Sequence, residues 1–187
     1  VIELGDGTSI VLDSARAESY TAAGALPQVS PASLKVDLGR RDFTINALAL
    51  RLAPEPCELL DPYDGRADLE AGLLRVLHSG SFRDDPTRIL RGVRFETRFG
   101  FRFDAATETL AREASRSGVF GALSSDRLRR EVQLTFESWS GIAATLGRLR
   151  DLGVIEAMVG SGASAETRAQ DPSLRSLGEQ AANATGT

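Results

Sequence analysis

Residues 82–101 read FRDDPTRILRGVRFETRFGF, and the fold turns on this stretch. An acidic residue followed by proline marks a helix start, because proline's fixed φ suits the first turn and its missing N–H is no loss there. Asp85-Pro86 therefore predicts the opening of a helix, and Gly100 its close. At 100° per residue, Ile89, Leu90, Val93 and Thr97 share one side, while Arg88, Arg91, Arg94 and Arg98 share the other. One face is set to pack and the other is cationic. Asp85 and Arg88 stand three apart, so a carboxylate acceptor and a fork of guanidinium donors project from the same side of the first turn. Gly92 lies one turn further along that side, which predicts open room above the pair. A solvated arginine face with a capping ion pair accounts for this helix taken alone. Its neighbours in the sequence suggest more.

The chain of 187 residues is large enough for a substantial core, and its 42% hydrophobic and 26% charged residues are those of a soluble globular protein. No window approaches a membrane span and no signal peptide is visible, so the expected compartment is the cytoplasm. A single cysteine, Cys57, excludes an internal disulfide and a cysteine-based metal cluster. His78 is the only histidine, which excludes His-pair metal sites and argues against a Ser-His-Asp triad. The net charge of −4 speaks against generic coating of nucleic acid. Yet of the 22 basic residues all but Lys35 are arginine, many of them between Arg83 and Arg130. Arginine engages phosphate bidentately where lysine acts as a point charge.

In chain order, Val1 to Leu4 and Ser9 to Asp13 are β-prone runs around a Gly5-Asp6-Gly7 turn. The true amino terminus is expected to lie upstream of Val1. Ser14 to Ser30 reads as an irregular connection, and Ser33 as the cap of a short helix reaching Arg40. Two antiparallel strands are predicted at Thr44 to Leu52 and Glu58 to Leu60, then a turn at Asp61 to Gly65. A short helix at Asp68 to Ala71 and a strand at Leu73 to Val76 follow. After the central helix come Ala105 to Ser115 capped by Asp104, Asp126 to Phe136 capped by Ser124 or Ser125, and Ile142 to Leu152 ended by Gly153. The expected fold class is α+β: a partial antiparallel sheet over residues 1–80, a helical body over 81–159, and a small, polar, mobile tail over 160–187.

Three polar clusters exceed what packing demands. Arg40, Arg41 and Asp42 with Asn46 place two guanidinium forks, a carboxylate and a carboxamide at a helix-to-strand junction, a set suited to triphosphate oxygens and sugar hydroxyls. Asp61 and Asp64 share a turn that needs only one acid. Asp84 and Asp85 precede Arg88.

Together these residues resemble the class II tRNA nucleotidyltransferases and bacterial poly(A) polymerases. GRRDFTINALAL resembles the family's RRDxxxNA motif, DPYDGRADL its third motif, DDPTR with ILRGVRF its EDxxR and LRAxRF helix, and SSDRLRREV its SxERIxxE helix. Four motifs in order, over about two-thirds of the chain, make the likeness specific. The resemblance implies a partial nucleotidyltransferase palm followed by a neck and body, acting on the 3′ end of tRNA or another RNA with CTP and ATP. It implies that Arg41, Asp42 and Asn46, with Arg40 nearby, bind ribose and triphosphate. It implies that Asp85 and Arg88 read the Watson–Crick edge of cytosine or adenine, with Asp84, where the family more often has Glu, and Arg91 in the same nucleotide site. Arg94, Arg98, Arg127 and Arg130 would steady the site or guide the RNA backbone. CCA-, CC- and A-adding activity, poly(A) polymerase and a non-catalytic nucleotide- or RNA-binding module all remain open at this point.

The family's Gly-Gly-x-x-Arg-Asp loop and Asp-x-Asp strand, which hold two Mg2+ ions, are absent from this sequence. The chain by itself is therefore expected to be catalytically incomplete and to lack the main metal ligands. The next acidic strand position of the family falls at Val11. Asp13, two residues on and so on the same face of a strand, is the candidate to take that carboxylate's place.

Overall fold

A computed structural model describes residues 1–19, 21, 27–136 and 141–162. The helix read first is α4, Thr87–Phe99: Pro86 stands at its N-cap with φ −61°, and Gly100 closes it in the left-handed region at φ 70°. Ile89, Leu90 and Val93 are fully buried, as their spacing requires, whereas Thr97 is exposed and turns its hydroxyl back to the Val93 carbonyl at 3.0 Å. Around α4 the order is β1 (Ile2–Glu3), β2 (Ser9–Ile10), β3 (Arg16–Ser19), β4 (Gln28–Pro31), α1 (Leu34–Gly39), β5 (Ala49–Arg51), β6 (Glu58–Leu60), α2 (Gly65–Ala71), β7 (Leu73–Leu74) and α3 (Ser81–Asp84). After α4 come β8 (Arg102–Phe103), α5 (Ala105–Arg116), α6 (Ser125–Thr135), α7 (Ile142–Asp151) and α8 (Val154–Gly162). The architecture is α+β, with β1–β2, β3–β4 and β5–β6 as antiparallel pairs and β7–β8 as a parallel one.

Several local expectations are corrected. Arg16–Ser19 and Gln28–Pro31 pair antiparallel where an irregular connection was expected, because each segment is short and carries no strand signal until its partner is known. Thr44–Asn46 is a 3-10 turn, and the strand begins only at Ala49. A carboxylate explains the turn: Asp68 Oδ2 accepts from Thr44 Oγ1 at 2.7 Å and holds the chain against α2. Helix α2 starts at Gly65, three residues early, since Asp61 accepts from the Gly65 and Arg66 amides at 2.7 and 3.0 Å and so caps it. Asp64, the second acid of that turn, sits at φ 57°, a conformation Asp tolerates better than most residues. The caps at Ser33, Asp104 and Ser124 are as the sequence predicts, each accepting from the amide three residues on.

Phe43, Leu74, Phe82, Ile89, Leu90, Val93, Phe103, Phe120, Leu149 and Leu152 form one buried cluster that draws on both sides of residue 80. The change at that point is therefore one of secondary structure and not of core, and β8 adds a strand beyond it. Gly92 does not open space above Asp85 and Arg88. A Cβ there would overlap the Phe103 ring and touch Phe43, so glycine lets the helix approach the aromatic cluster. At the other end, α8 extends into the region expected as tail, and residues 163–187 lie outside the described residues.

Arg148 of α7 ties the helices together. It donates to Glu96 at 2.7 Å and to Glu108 at 2.9 Å, joining α4, α5 and α7, while its guanidinium lies over the Phe103 ring at 5.7 Å. Hydrogen bonds from Arg148, then from Arg112, outweigh burial and hold the Glu108 carboxyl down at about 2 from an ordinary 4.5. A depressed carboxylate contributes stability that is complete above its ordinary value and is lost as the pH falls toward the folded one. Melting curves from pH 7 to pH 2 should accordingly show Glu108→Gln less stable than the parent at neutral pH, with the gap closing between about 4.5 and about 2. A gap constant across that window counts against this linkage.

Candidate nucleotide site

A cleft of about 830 Å³ opens between the 40–46 segment, the start of α4 and the face of α6. That volume accommodates a nucleotide-sized ligand. Arg40, Arg41, Asp42, Asn46, Asp85, Arg88, Arg91, Arg127 and Arg130 all line it, so residues spread over ninety positions converge on one site. Six arginines against four carboxylates leave the cleft net cationic within a chain of net negative charge.

The convergence follows from local folding. Helix α1 ends at Gly39, and the next three residues turn toward α4 before Phe43 enters the core. Asp42 is buried and its acceptor capacity is filled: Oδ1 accepts from the Phe43 amide and Asn46 Nδ2, both at 2.9 Å, and Oδ2 from Arg91 Nε and Nη2 at 2.8 and 2.6 Å. Burial alone would raise its pKa, but the Arg91 charge and these hydrogen bonds together hold it below the usual carboxylate range. Asp42 thus orients Arg91 and Asn46 and has no lone pair to spare for a sugar hydroxyl. Arg40 is held by Asp37 at 2.8 Å and Glu18 at 2.8 Å; Arg41 reaches Asp37 at 3.3 Å and the Asn46 carbonyl at 3.2 Å and is exposed.

Asp85 and Arg88 line the cleft together but do not pair. Asp85 Oδ1 accepts from the Thr87 amide at 3.1 Å and Thr87 Oγ1 at 2.6 Å, and lies 3.1 Å from Arg127 Nη2 of α6. Arg88 is only 6% exposed; Nη1 donates to Ser81 Oγ at 2.6 Å and Nη2 to the Arg40 carbonyl at 2.7 Å. The expected cationic face is therefore graded. Arg88 is buried, Arg91 is half-buried, Arg94 lies 3.5 Å from Glu131, and Arg98 is exposed with its guanidinium over Phe99.

Four candidates do not line the large cleft: Arg94 and Arg98, further along α4, and two acids that fall elsewhere. Asp84 faces His78 at 3.7 Å and lines a separate cleft of about 420 Å³ behind Arg88. Asp13 lies beyond β2, exposed and paired with Arg16 at 2.9 Å, so it is on neither a strand nor the wall of the large cleft. Sequence reading missed Glu18, Thr87, Phe95, Glu131 and Leu134, which also line the cleft. Phe95 and Glu131 had a signal: Phe95 follows Arg91 by one helical turn, and Glu131 closes the SSDRLRRE run. Glu18 had none, because its strand was not recognised. Among the described residues no three His, Cys, Asp or Glu side chains gather to hold a metal ion.

Residues 5–75 match the poly A polymerase head domain family. The chain is 44% identical over 150 residues to the A-adding tRNA nucleotidyltransferase of Halalkalibacterium halodurans, an alignment covering 79% of this chain and 35% of that protein. The structure superposes on a CCA-adding enzyme in an apo form with a TM-score of 0.73 and 40% identity, covering 78% of this chain and 34% of the other. A CCA-adding enzyme in complex with CTP aligns with a TM-score of 0.62 and 43% identity, covering 65% and 29%. Over residues 5–75 the fold is that of a nucleotidyltransferase head. The chain belongs to the class II tRNA nucleotidyltransferase and bacterial poly(A) polymerase family, and it spans about a third of the length of the first of these relatives. No described helix is long and apolar enough to cross a membrane.

Proposed function

We propose that the chain supplies the nucleotide-selecting part of a template-independent RNA nucleotidyltransferase that adds A, C or both to the 3′ end of tRNA. The observation that carries this reading is the convergence of Asp85 and Arg88 with Arg41, Asn46 and Arg91 in one cleft. Arg41 and Arg91 supply forked donors for the triphosphate, and Asn46 supplies a carboxamide for the ribose. Asp85 accepts from the exocyclic amine of cytosine or adenine, while Arg88 donates to the adjacent ring nitrogen. Uracil and guanine present a carbonyl and a ring N–H at those positions, leaving an acceptor and a donor unpaired in a desolvated site. Arg127 and Arg130 line the α6 wall of the cleft, and in this reading they meet RNA phosphates. Magnesium ions, implied by the family, would supply charge neutralisation at the phosphates; no cluster of three His, Cys, Asp or Glu side chains stands ready to hold them among the described residues.

Equilibrium binding of the four nucleoside triphosphates to the purified chain tests this. ATP, CTP or both should bind about tenfold or more tightly than UTP and GTP, the discrimination expected from one mismatched, desolvated hydrogen-bond pair. Equal affinity for all four, or no binding, overturns the reading.

A further inference from the structure

We propose that Ser81 is a positioning residue for base selection that acts through Arg88; the inference rests on the base-reading role just given to Arg88. Ser81 is the first residue of α3, has no exposed surface, and its Oγ accepts from Arg88 Nη1 at 2.6 Å. The second anchor is the Arg40 carbonyl, which accepts from Nη2 at 2.7 Å. A guanidinium is a rigid plane with five N–H donors, so engaging both terminal nitrogens from two different elements fixes the plane and the direction of the remaining donors.

Two features separate this from ordinary packing. The N-terminus of α3 has no side-chain cap, so the Ser81 hydroxyl is not serving its own helix there. The partner is also neutral. Arg40, Arg91 and Arg148 are each held by carboxylates, whereas among the described residues Arg88 meets only a hydroxyl and a carbonyl. A carboxylate at position 81 would orient Arg88 but neutralise it as well. The hydroxyl orients it and leaves its charge available to the ring-nitrogen acceptor of a base.

Ser81→Ala, Arg88→Ala and the double variant, compared with the parent chain, provide the test. The readouts are equilibrium binding of ATP, CTP, UTP and GTP, binding of inorganic tripolyphosphate, and a melting curve. Ser81→Ala should narrow the preference for ATP and CTP by about tenfold while tripolyphosphate binding stays within about twofold, because only base contacts are disturbed. In the Arg88→Ala background, Ser81→Ala should narrow it no further. If Ser81→Ala does not yield folded protein, Ser81→Cys, close in size but a weak acceptor, takes its place in both backgrounds. A preference kept by the Ser81 variant but lost in Arg88→Ala overturns the role of Ser81 alone, as does an additive loss in the double variant. A preference kept in Arg88→Ala overturns the base-reading role beneath it.

Discussion

Arg88→Ala is expected to remove the chain's discrimination between nucleobases and to lower its melting temperature. The first effect follows from losing the donor opposite the ring nitrogen of cytosine or adenine; without it, the N–H of uracil or guanine no longer faces a competing donor. Each mismatched group in a desolvated site costs about 1–3 kcal/mol, so tenfold or more of selectivity should go with the side chain. The second effect follows from burial. Ser81 Oγ and the Arg40 carbonyl each lose a charged donor, and the space the side chain filled is left behind, for a combined cost of about 2–4 kcal/mol. Arg88→Lys separates the two contributions, because an ammonium keeps the charge but cannot satisfy both anchors and a base as a planar fork does. Binding of all four triphosphates alongside melting curves is the deciding measurement: a lowered melting temperature with nucleotide preference intact would reduce Arg88 to a structural anchor.

Asp42→Ala is expected to weaken the binding of every nucleotide alike and to cost more stability than a surface substitution. Asp42 is 7% exposed and is the only carboxylate hydrogen-bonded to Arg91 among the described residues. Removing one partner of a buried pair strands the other, typically at about 3–5 kcal/mol; the exposure of Arg91 to the cleft places this case at the lower end of that range. With Arg91 and Asn46 both released, the contacts proposed for triphosphate and ribose should be lost whatever the base. Asp42→Asn should be milder, because its remaining oxygen still accepts from the Phe43 amide. Since the folded carboxyl is held below its ordinary range, the stability it contributes is present at neutral pH and is lost on acidification, so parent and Asp42→Ala should converge at low pH. One nucleotide spared by more than about tenfold, roughly 1.4 kcal/mol, would show that Asp42 serves a base after all.

The family motifs led to the cleft because each lies on an element whose ends are written locally. Pro86 and Gly100 bound α4, and Ser33, Asp104 and Ser124 cap their helices with hydroxyl or carboxylate acceptors within three residues. The short-range chemistry of caps and the 3.6-residue period need no knowledge of the rest of the molecule. The two-stranded pairings were harder to see. Arg16–Ser19 pairs with Gln28–Pro31 further along the chain, and Leu73–Leu74 finds Arg102–Phe103 only after α3 and α4 have intervened. Strands of two to four residues carry too little alternation to be recognised without their partners.

By itself, then, the sequence determined that this is an α+β chain, that α4 packs on Ile89, Leu90 and Val93, and which arginines and acids are candidates for the proposed nucleotide site. It could place Asp85 and Arg88 on the same turn. Only the tertiary structure decided that Asp85 turns to Thr87 and Arg127, that Arg88 turns to Ser81 and Arg40, and that Asp42 spends its lone pairs on Arg91, 49 residues away. Only it showed Gly92 facing Phe103 and Asp13 standing apart from the cleft. The reason is physical: helical spacing sets the direction in which a side chain leaves its own backbone, but the partner it finds depends on which other element the shared apolar core has brought opposite it.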